Sequence, residues 1–303
     1  MKGVVTMKCI NFDKEFQRYL SQWLREHQKE YKNYDQMEAK MPEVYGEWLE
    51  KPVDWLGNIA PGHYFDQFDN AKMLVNHLED YIKQRVPVPD MLLNRLGEMN
   101  SAAEKPLYDL LIKERAPQEA RMLAVTVLRE IGSELPMDLY IDWVAGMQEE
   151  IEEENGEGCV NELAENALES LSSMGEKPVS AMTARLADAT DVGKECLCSL
   201  LCHYPDPEEK VFVTLMNLLN DHRDRCAVLA DFLGKLGNEK ALGPLKALAA
   251  SEETGYLDYI ELRNAIEILG DEAPVREFDE KDPAYEALRA LEAQKAEEAA
   301  HEN

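Results

Sequence analysis

The chain has 303 residues, room for one long repeat array or for two ordinary domains, and its 45% hydrophobic and 30% charged residues match a folded protein. Its formal net charge of −28 repels polyphosphates and anionic membrane surfaces, so the composition argues against nucleic-acid binding, which calls for a basic face, and against membrane association. The charge is uneven: residues 1–40 hold eight Lys/Arg against six Asp/Glu, which leaves about −30 on the rest, densest at Glu149–Glu157 and after Asp271.

Residues 1–86 hold 13 of the 23 aromatic residues and read as a helical, aromatic-rich N-terminal cap region. Phe12, Phe16, Tyr19, Leu20, Trp23, Leu24 and Tyr31 recur at the spacing of one helical face, and Met41, Val44, Tyr45, Trp48 and Leu49 make a second stripe. The run Pro52 to Phe65 is rich in turn formers and carries bulky apolar side chains. A third helix is predicted from Asp69 to Gln84, and Pro87 and Pro89 break the chain after it. A cap would shield the open end of a stack of helices; the sharper alternative is a partner-recognition surface built on Trp48, Trp55, Tyr64 and Phe65.

Residues 87–276 read as an array of helix-pair repeats, and between residues 120 and 270 one pattern recurs in it: apolar residues at i, i+4 and i+7, often followed by glycine. It appears as Ala124, Leu128, Ile131, Gly132, then as Ala167, Leu171, Met174, Gly175, and without glycine as Leu197, Leu201, Tyr204. It returns as Leu229, Leu233, Leu236, Gly237 and as Leu262, Ile266, Leu269, Gly270, at successive offsets of 43, 30, 32 and 33 residues. Leu93, Leu96 and Gly97 form a weaker precursor. Such a stripe is one face of an α-helix, and glycine just beyond it suits the left-handed position that closes a helix. Between the stripes lie second amphipathic segments at Glu104–Glu114, Met137–Gln148, Lys177–Ala189, Pro207–Asn220 and Glu239–Ala250, set off by Pro117, Pro136, Pro178, Pro207 and Asn238. Each unit is therefore a pair of antiparallel helices, which buries both apolar faces only by stacking on its neighbours.

The string Pro117-Gln-Glu-Ala120-Arg121-x-x-Ala124-x-x-x-Leu128-x-x-Ile131-Gly132 resembles the second helix of a HEAT repeat, with an arginine after the small apolar residue. In the later copies the arginine position holds Ala164, Lys194, Cys226 and Tyr259. The resemblance covers roughly the middle and C-terminal 60% of the chain. It implies an all-α fold, a right-handed α-α superhelix, and a scaffold for protein partners. Residues 277–303 read as an acidic, Ala/Glu-rich helix or tail whose thin apolar edge is Ala284, Leu288 and Leu291.

No catalytic, cofactor or metal site is predicted. Cys198 and Cys202 stand at i, i+4 next to His203, but a closed zinc site needs four ligands and Cys196 points away from Cys198 on a helix, so these thiols read as core. The Glu149–Glu154 run lacks the alternating ligands and glycine of a calcium loop. The histidines form no H-E-x-x-H pair, and no phosphate-cradling glycine loop or G-x-S-x-G turn occurs. No apolar run reaches the ~18 residues of a membrane span. Residues Met1 to Ile10 lack the pattern of a signal peptide, and six irregularly spaced cysteines predict reduced thiols in a cytoplasmic protein.

The leading expectation is a non-enzymatic interaction scaffold whose acidic groove binds a basic protein segment or helix. One alternative is an enzyme on a HEAT-like frame, of the DNA alkylation-repair glycosylase or phycobilin-lyase type. The acidic array departs from the basic, aromatic-walled groove of the first, and no apolar cleft marks the second. A further alternative is a structural protein that self-associates through the aromatic N-terminal region.

Overall fold

The computed structural model describes residues 8–27, 30–31, 34–113, 115–148, 162–278 and 285–287. They form fifteen α-helices: α1 (Phe12–His27), α2 (Tyr34–Glu38), α3 (Met41–Glu50), α4 (Ala71–Lys83), α5 (Asp90–Glu98), α6 (Ser101–Leu111), α7 (Gln118–Glu130), α8 (Met137–Ala145), α9 (Glu162–Ser173), α10 (Val179–Arg185), α11 (Asp191–Leu201), α12 (Lys210–Asp221), α13 (Cys226–Leu236), α14 (Leu242–Ala249) and α15 (Tyr256–Ile268). The described residues contain no strand, only one antiparallel bridge between Val53 and Ile59 around the left-handed pair Gly57 and Asn58. None of their helices is long and apolar enough to cross a membrane. The Glu149–Glu154 run and the edge Ala284, Leu288, Leu291 lie outside the described residues.

The chain divides into two compact units, Met1–Met137 and Asp138–Asn303. In the first, α1 packs on α3, and a 3₁₀ segment at Pro61–Gln67 lies against α3 and α5. The approach to α3 is close enough that a Cβ on Gly62 would sit 2.9 Å from the Leu49 carbonyl oxygen. Helix α4 meets α5, α6 and α7, and α7 in turn meets α5 and α6. Asn70 starts α4 by accepting a hydrogen bond from the Met73 N–H at 3.0 Å. The buried Glu79 of α4 is gripped by Lys83 at 2.6 Å and by Lys113, beyond the end of α6, at 2.6 Å. Burial alone would raise its carboxyl pKa, but hydrogen bonds from the two lysines outweigh it and hold the group below the usual range. Arg121, the arginine of the HEAT-like string, donates from Nε to the Leu111 carbonyl at 2.9 Å and so satisfies an end group of α6.

In the second unit α11 packs on α9, α10, α12 and α13; α13 packs on α12 and α15; and α15 packs on α14. Several side-chain contacts in this unit join residues about thirty positions apart. Asp191 meets His222 at 3.1 Å, Arg225 Nε donates to Glu195 at 3.0 Å, and Lys240 donates to Glu209 at 2.6 Å, at separations of 31, 30 and 31 residues. Gly234 of α13 lies so near α15 that an added Cβ would stand 3.1 Å from the Ala265 Cα. The first turn of α11 rests on the end of α8: the Thr190 N–H donates to the Ala145 carbonyl at 2.9 Å, and its hydroxyl donates to the Met147 carbonyl while accepting from the Gly193 N–H.

The helix-closing glycines behave largely as expected, and the element bounds differ at several places. Gly132, Gly175, Gly237 and Gly270 all take the left-handed φ foreseen for them. Gly97 does not: α5 runs through it to Glu98, and Asn100 takes the positive φ of 48° instead. Helix α6 begins at Ser101, earlier than the apolar pattern indicated, so Pro106 lies inside it. Tyr31 lies beyond the end of α1, although its ring still reaches Trp23 at 5.9 Å.

Candidate functional site

The four aromatics singled out as a recognition surface divide by burial. Trp48 is 2% exposed and packs with Phe16 and Tyr45 between α1 and α3. Phe65 is 0% exposed and, with Tyr64 and Trp55, surrounds Phe12 at centroid distances of 6.1, 5.7 and 6.2 Å. Trp55 keeps 47% of its surface open and Tyr64 is half-buried, so these two carry the solvent-facing part of the cluster. Burial raises the Tyr64 phenol. The neighbouring Tyr81 hydroxyl donates to the Ile10 carbonyl and accepts from the Ile10 N–H, both at 3.1 Å, tying the segment before α1 to α4. Such packing has the character of a core with one open edge.

Two histidines flank this cluster in opposite environments. The exposed His63 lies between Asp66 (2.8 Å from Nδ1) and Glu50 (3.1 Å from Nε2), and hydrogen bonds to the two carboxylates raise its pKa. His77 is buried against Tyr81 at 4.7 Å and Phe65 at 6.3 Å, with neither ring nitrogen hydrogen-bonded among the described residues. Burial lowers its pKa, opposed by the charge of Asp80.

Of the cysteines among the described residues, Cys198, Cys202 and Cys226 are buried, and Cys9 and Cys196 are partly exposed. Burial pushes the Cys198 thiol up to about 12, and the Cys202 and Cys226 thiols to about 11. Protonated, buried thiols are poor nucleophiles and poor metal ligands. His203 is exposed, and no three His, Cys, Asp or Glu side chains among the described residues are placed to share an ion.

A polar cleft of about 470 Å³ opens where α5 and α7 end side by side, lined by Asn94, Gly97, Glu98, Asn100, Glu130 and Ile131. A Cβ on Gly97 would lie 3.9 Å from Glu130 Oε2, an ordinary contact, so the closeness of α5 and α7 does not depend on glycine there. Glu98 and Glu130, which line the cleft, stand at the C-terminal ends of α5 and α7, where the helix dipole favours positive charge. Arg95 partly meets this preference, bonding Glu98 at 3.3 Å and Asp69 at 3.1 Å. No motif announces this cleft, because its residues come from two helices one period apart.

No protein-family model, curated protein or solved structure matches the chain.

Proposed function

We propose that this protein is a non-enzymatic scaffold of stacked, HEAT-like helix pairs that holds a basic segment of a partner protein. The observation that carries the reading is the spacing of its cross-helix contacts. Glu79 with Lys113, Asp191 with His222, Glu195 with Arg225, and Glu209 with Lys240 are separated by 34, 31, 30 and 31 residues, close to the period of the apolar stripes. Side chains at equivalent points of successive pairs touch, as they must when pairs lean on their neighbours in series. Serial stacking of this kind supports a solenoid, and solenoids offer long surfaces to other chains. On this frame sits a net charge of −28, which selects cationic partners and disfavours nucleic acid and anionic lipid. The cleft between α5 and α7 supplies one place for a lysine or arginine side chain.

The test is fluorescence anisotropy of a labelled Lys/Arg-rich peptide, with a Gln-substituted peptide as control. Saturable binding of the basic peptide should weaken about tenfold between about 0.05 M and 0.3 M NaCl as screening shortens the reach of the charges. Glu98→Gln together with Glu130→Gln should weaken it further. Equal affinity for the two peptides, or binding indifferent to salt, would remove the basis of the proposal.

A further inference from the structure

After α15 the chain turns back as a strap, Asp271 to Phe278, without helix or strand. It is held at a few points rather than by continuous burial: Val275, in its middle, is 99% exposed. Asp271 pairs with Lys246 of α14 at 2.6 Å, and the Tyr259 hydroxyl donates to the Pro274 carbonyl at 3.0 Å. Phe278 lies edge-on against Tyr256 and Tyr259, each at 4.9 Å, and Tyr285 adds its ring at 5.9 Å.

The central anchor is Arg276. Its Nη1 donates to the carbonyls of Ser251 and Thr254, the latter at 2.7 Å, and its Nη2 donates to the Glu252 carbonyl at 3.0 Å. All three acceptors belong to the turn between α14 and α15, which the Thr254 hydroxyl braces by donating to the Leu248 carbonyl at 2.7 Å. The guanidinium also lies 4.7 Å from the Phe278 ring centroid. A planar fork with several donors, stacked on an aromatic ring, matches this seat, whereas an ammonium offers a point charge and no plane. Glu252, Glu253, Glu272 and Glu277 surround it in sequence, so an emptied seat would remain attractive to a cation.

We propose that the turn joining α14 and α15 is a recognition seat for an arginine side chain, filled in cis by Arg276 and open to an arginine-bearing extended segment of a partner protein when the strap lifts. The inference goes beyond attraction of a basic segment, because the seat selects one guanidinium by carbonyl geometry, and the aromatic neighbour arrives on the same segment as the arginine. The chain's own Pro274-Val-Arg-Glu-Phe278 shows the ligand chemistry: an arginine followed two residues later by an aromatic side chain.

The experiment uses the full chain carrying Arg276→Ala with Phe278→Ala, and a capped, labelled pentapeptide Pro-Val-Arg-Glu-Phe added in trans. The side-chain charges of this peptide cancel, so bulk attraction to an acidic protein does not produce a signal, and failure of the scaffold proposal is read separately. The variant should bind the peptide saturably, the wild type should bind it at least about tenfold more weakly, and replacing the peptide arginine with lysine should cost about tenfold in affinity. Hydrogen exchange of the wild type keeps the test open should the variant unfold: excess arginine peptide should accelerate exchange at residues 272–278, and the lysine peptide should not. Absence of saturable binding to a folded variant, or equal affinity for the lysine peptide, would reduce Arg276 to a structural clamp. Wild-type dimers by light scattering, lost on Arg276→Ala, would assign the seat to a second copy's strap and overturn the partner reading.

Discussion

His77 carries two ring nitrogens into the packing of the N-terminal unit with no hydrogen bond to either among the described residues. An unmet buried polar group costs about 1–3 kcal/mol, while the edge-on contact with Tyr81 returns about 0.5–1.5 kcal/mol. By urea denaturation, His77→Leu should therefore leave stability near pH 7.5 about unchanged or raise it by up to about 2 kcal/mol. On acidification the two proteins should part. The folded-state pKa of His77 lies below its unfolded value, so its contribution is intact above the ordinary histidine pKa of about 6.5 and is lost as pH falls from there through the lowered pKa. Asp80, on the same helix, moderates the loss; His77 meets the Tyr81 ring of its own helix and the Phe65 ring of the packed 3₁₀ segment, while Lys113 beyond α6 is engaged by Glu79 and Arg121 of α7 by the Leu111 carbonyl. His63 acts in the opposite sense, its contribution present below about pH 6.5 and lost as pH rises through its raised pKa, but it is exposed and present in both proteins. The difference between wild type and His77→Leu should thus favour the variant increasingly between about pH 7.5 and 5.5. A difference that stays constant across that range would mean the imidazole reaches solvent or a carboxylate.

At the scale of elements, glycine serves two purposes that spacing alone separates only in part. Gly132, Gly175, Gly237 and Gly270 follow an apolar stripe and turn the chain, and the stripes announced all four. Gly97 follows the same kind of stripe yet stays inside α5, while Gly193 and Gly234 let neighbouring backbones approach closely. Gly193 and Gly234 were invisible as contact points, because a sequence pattern marks which face of a helix is apolar and leaves open which backbone it meets. Burial within the aromatic cluster was likewise illegible: Trp48 comes from a helical stripe and Trp55, Tyr64 and Phe65 from a turn-rich run, yet only tertiary packing puts Trp48 and Phe65 inside and Trp55 at the edge. The strap shows a third limit, since the acidic composition around Arg276 masks one cation whose acceptors are backbone carbonyls. These distinctions lead to a paired prediction. A Cβ on Gly193 would meet the Ala145 carbonyl oxygen at 2.4 Å and the Val144 carbonyl oxygen at 2.8 Å, both backbone atoms unable to step aside. Gly193→Ala should destabilise by about 1–3 kcal/mol or more, as overpacking against rigid neighbours does. Gly46→Ala, inside α3 with nothing within 4 Å of the added carbon, should stabilise by about 0.5–1 kcal/mol. Urea midpoints of the two variants should move in opposite directions, and a tolerated Gly193→Ala would mean that α11 does not rest on the end of α8.

For the whole chain, the decisive quantity is a net charge of −28 set against a handful of cross-helix ion pairs. Exposed pairs of this kind contribute about 0–1 kcal/mol each and weaken in salt. Repulsion among the excess carboxylates opposes the compact state and also weakens in salt, and it involves many more charges than the pairs do. Raising NaCl from about 0.01 M to 0.5 M shortens the Debye length from about 30 Å to a few ångströms, so relief of repulsion should outweigh loss of the pairs and the melting temperature should rise. Sodium sulfate is the wrong reagent for this comparison, because an excluded salt stabilises folded chains whatever their charge. The same NaCl series should weaken binding of a basic peptide, since there screening removes attraction. Stability and affinity are thereby expected to move in opposite directions over one salt range, which separates loss of binding from loss of structure in a single set of samples. A melting temperature that falls with NaCl would show that the ion pairs spaced one period apart, rather than the carboxylate excess, govern how the helix pairs hold together.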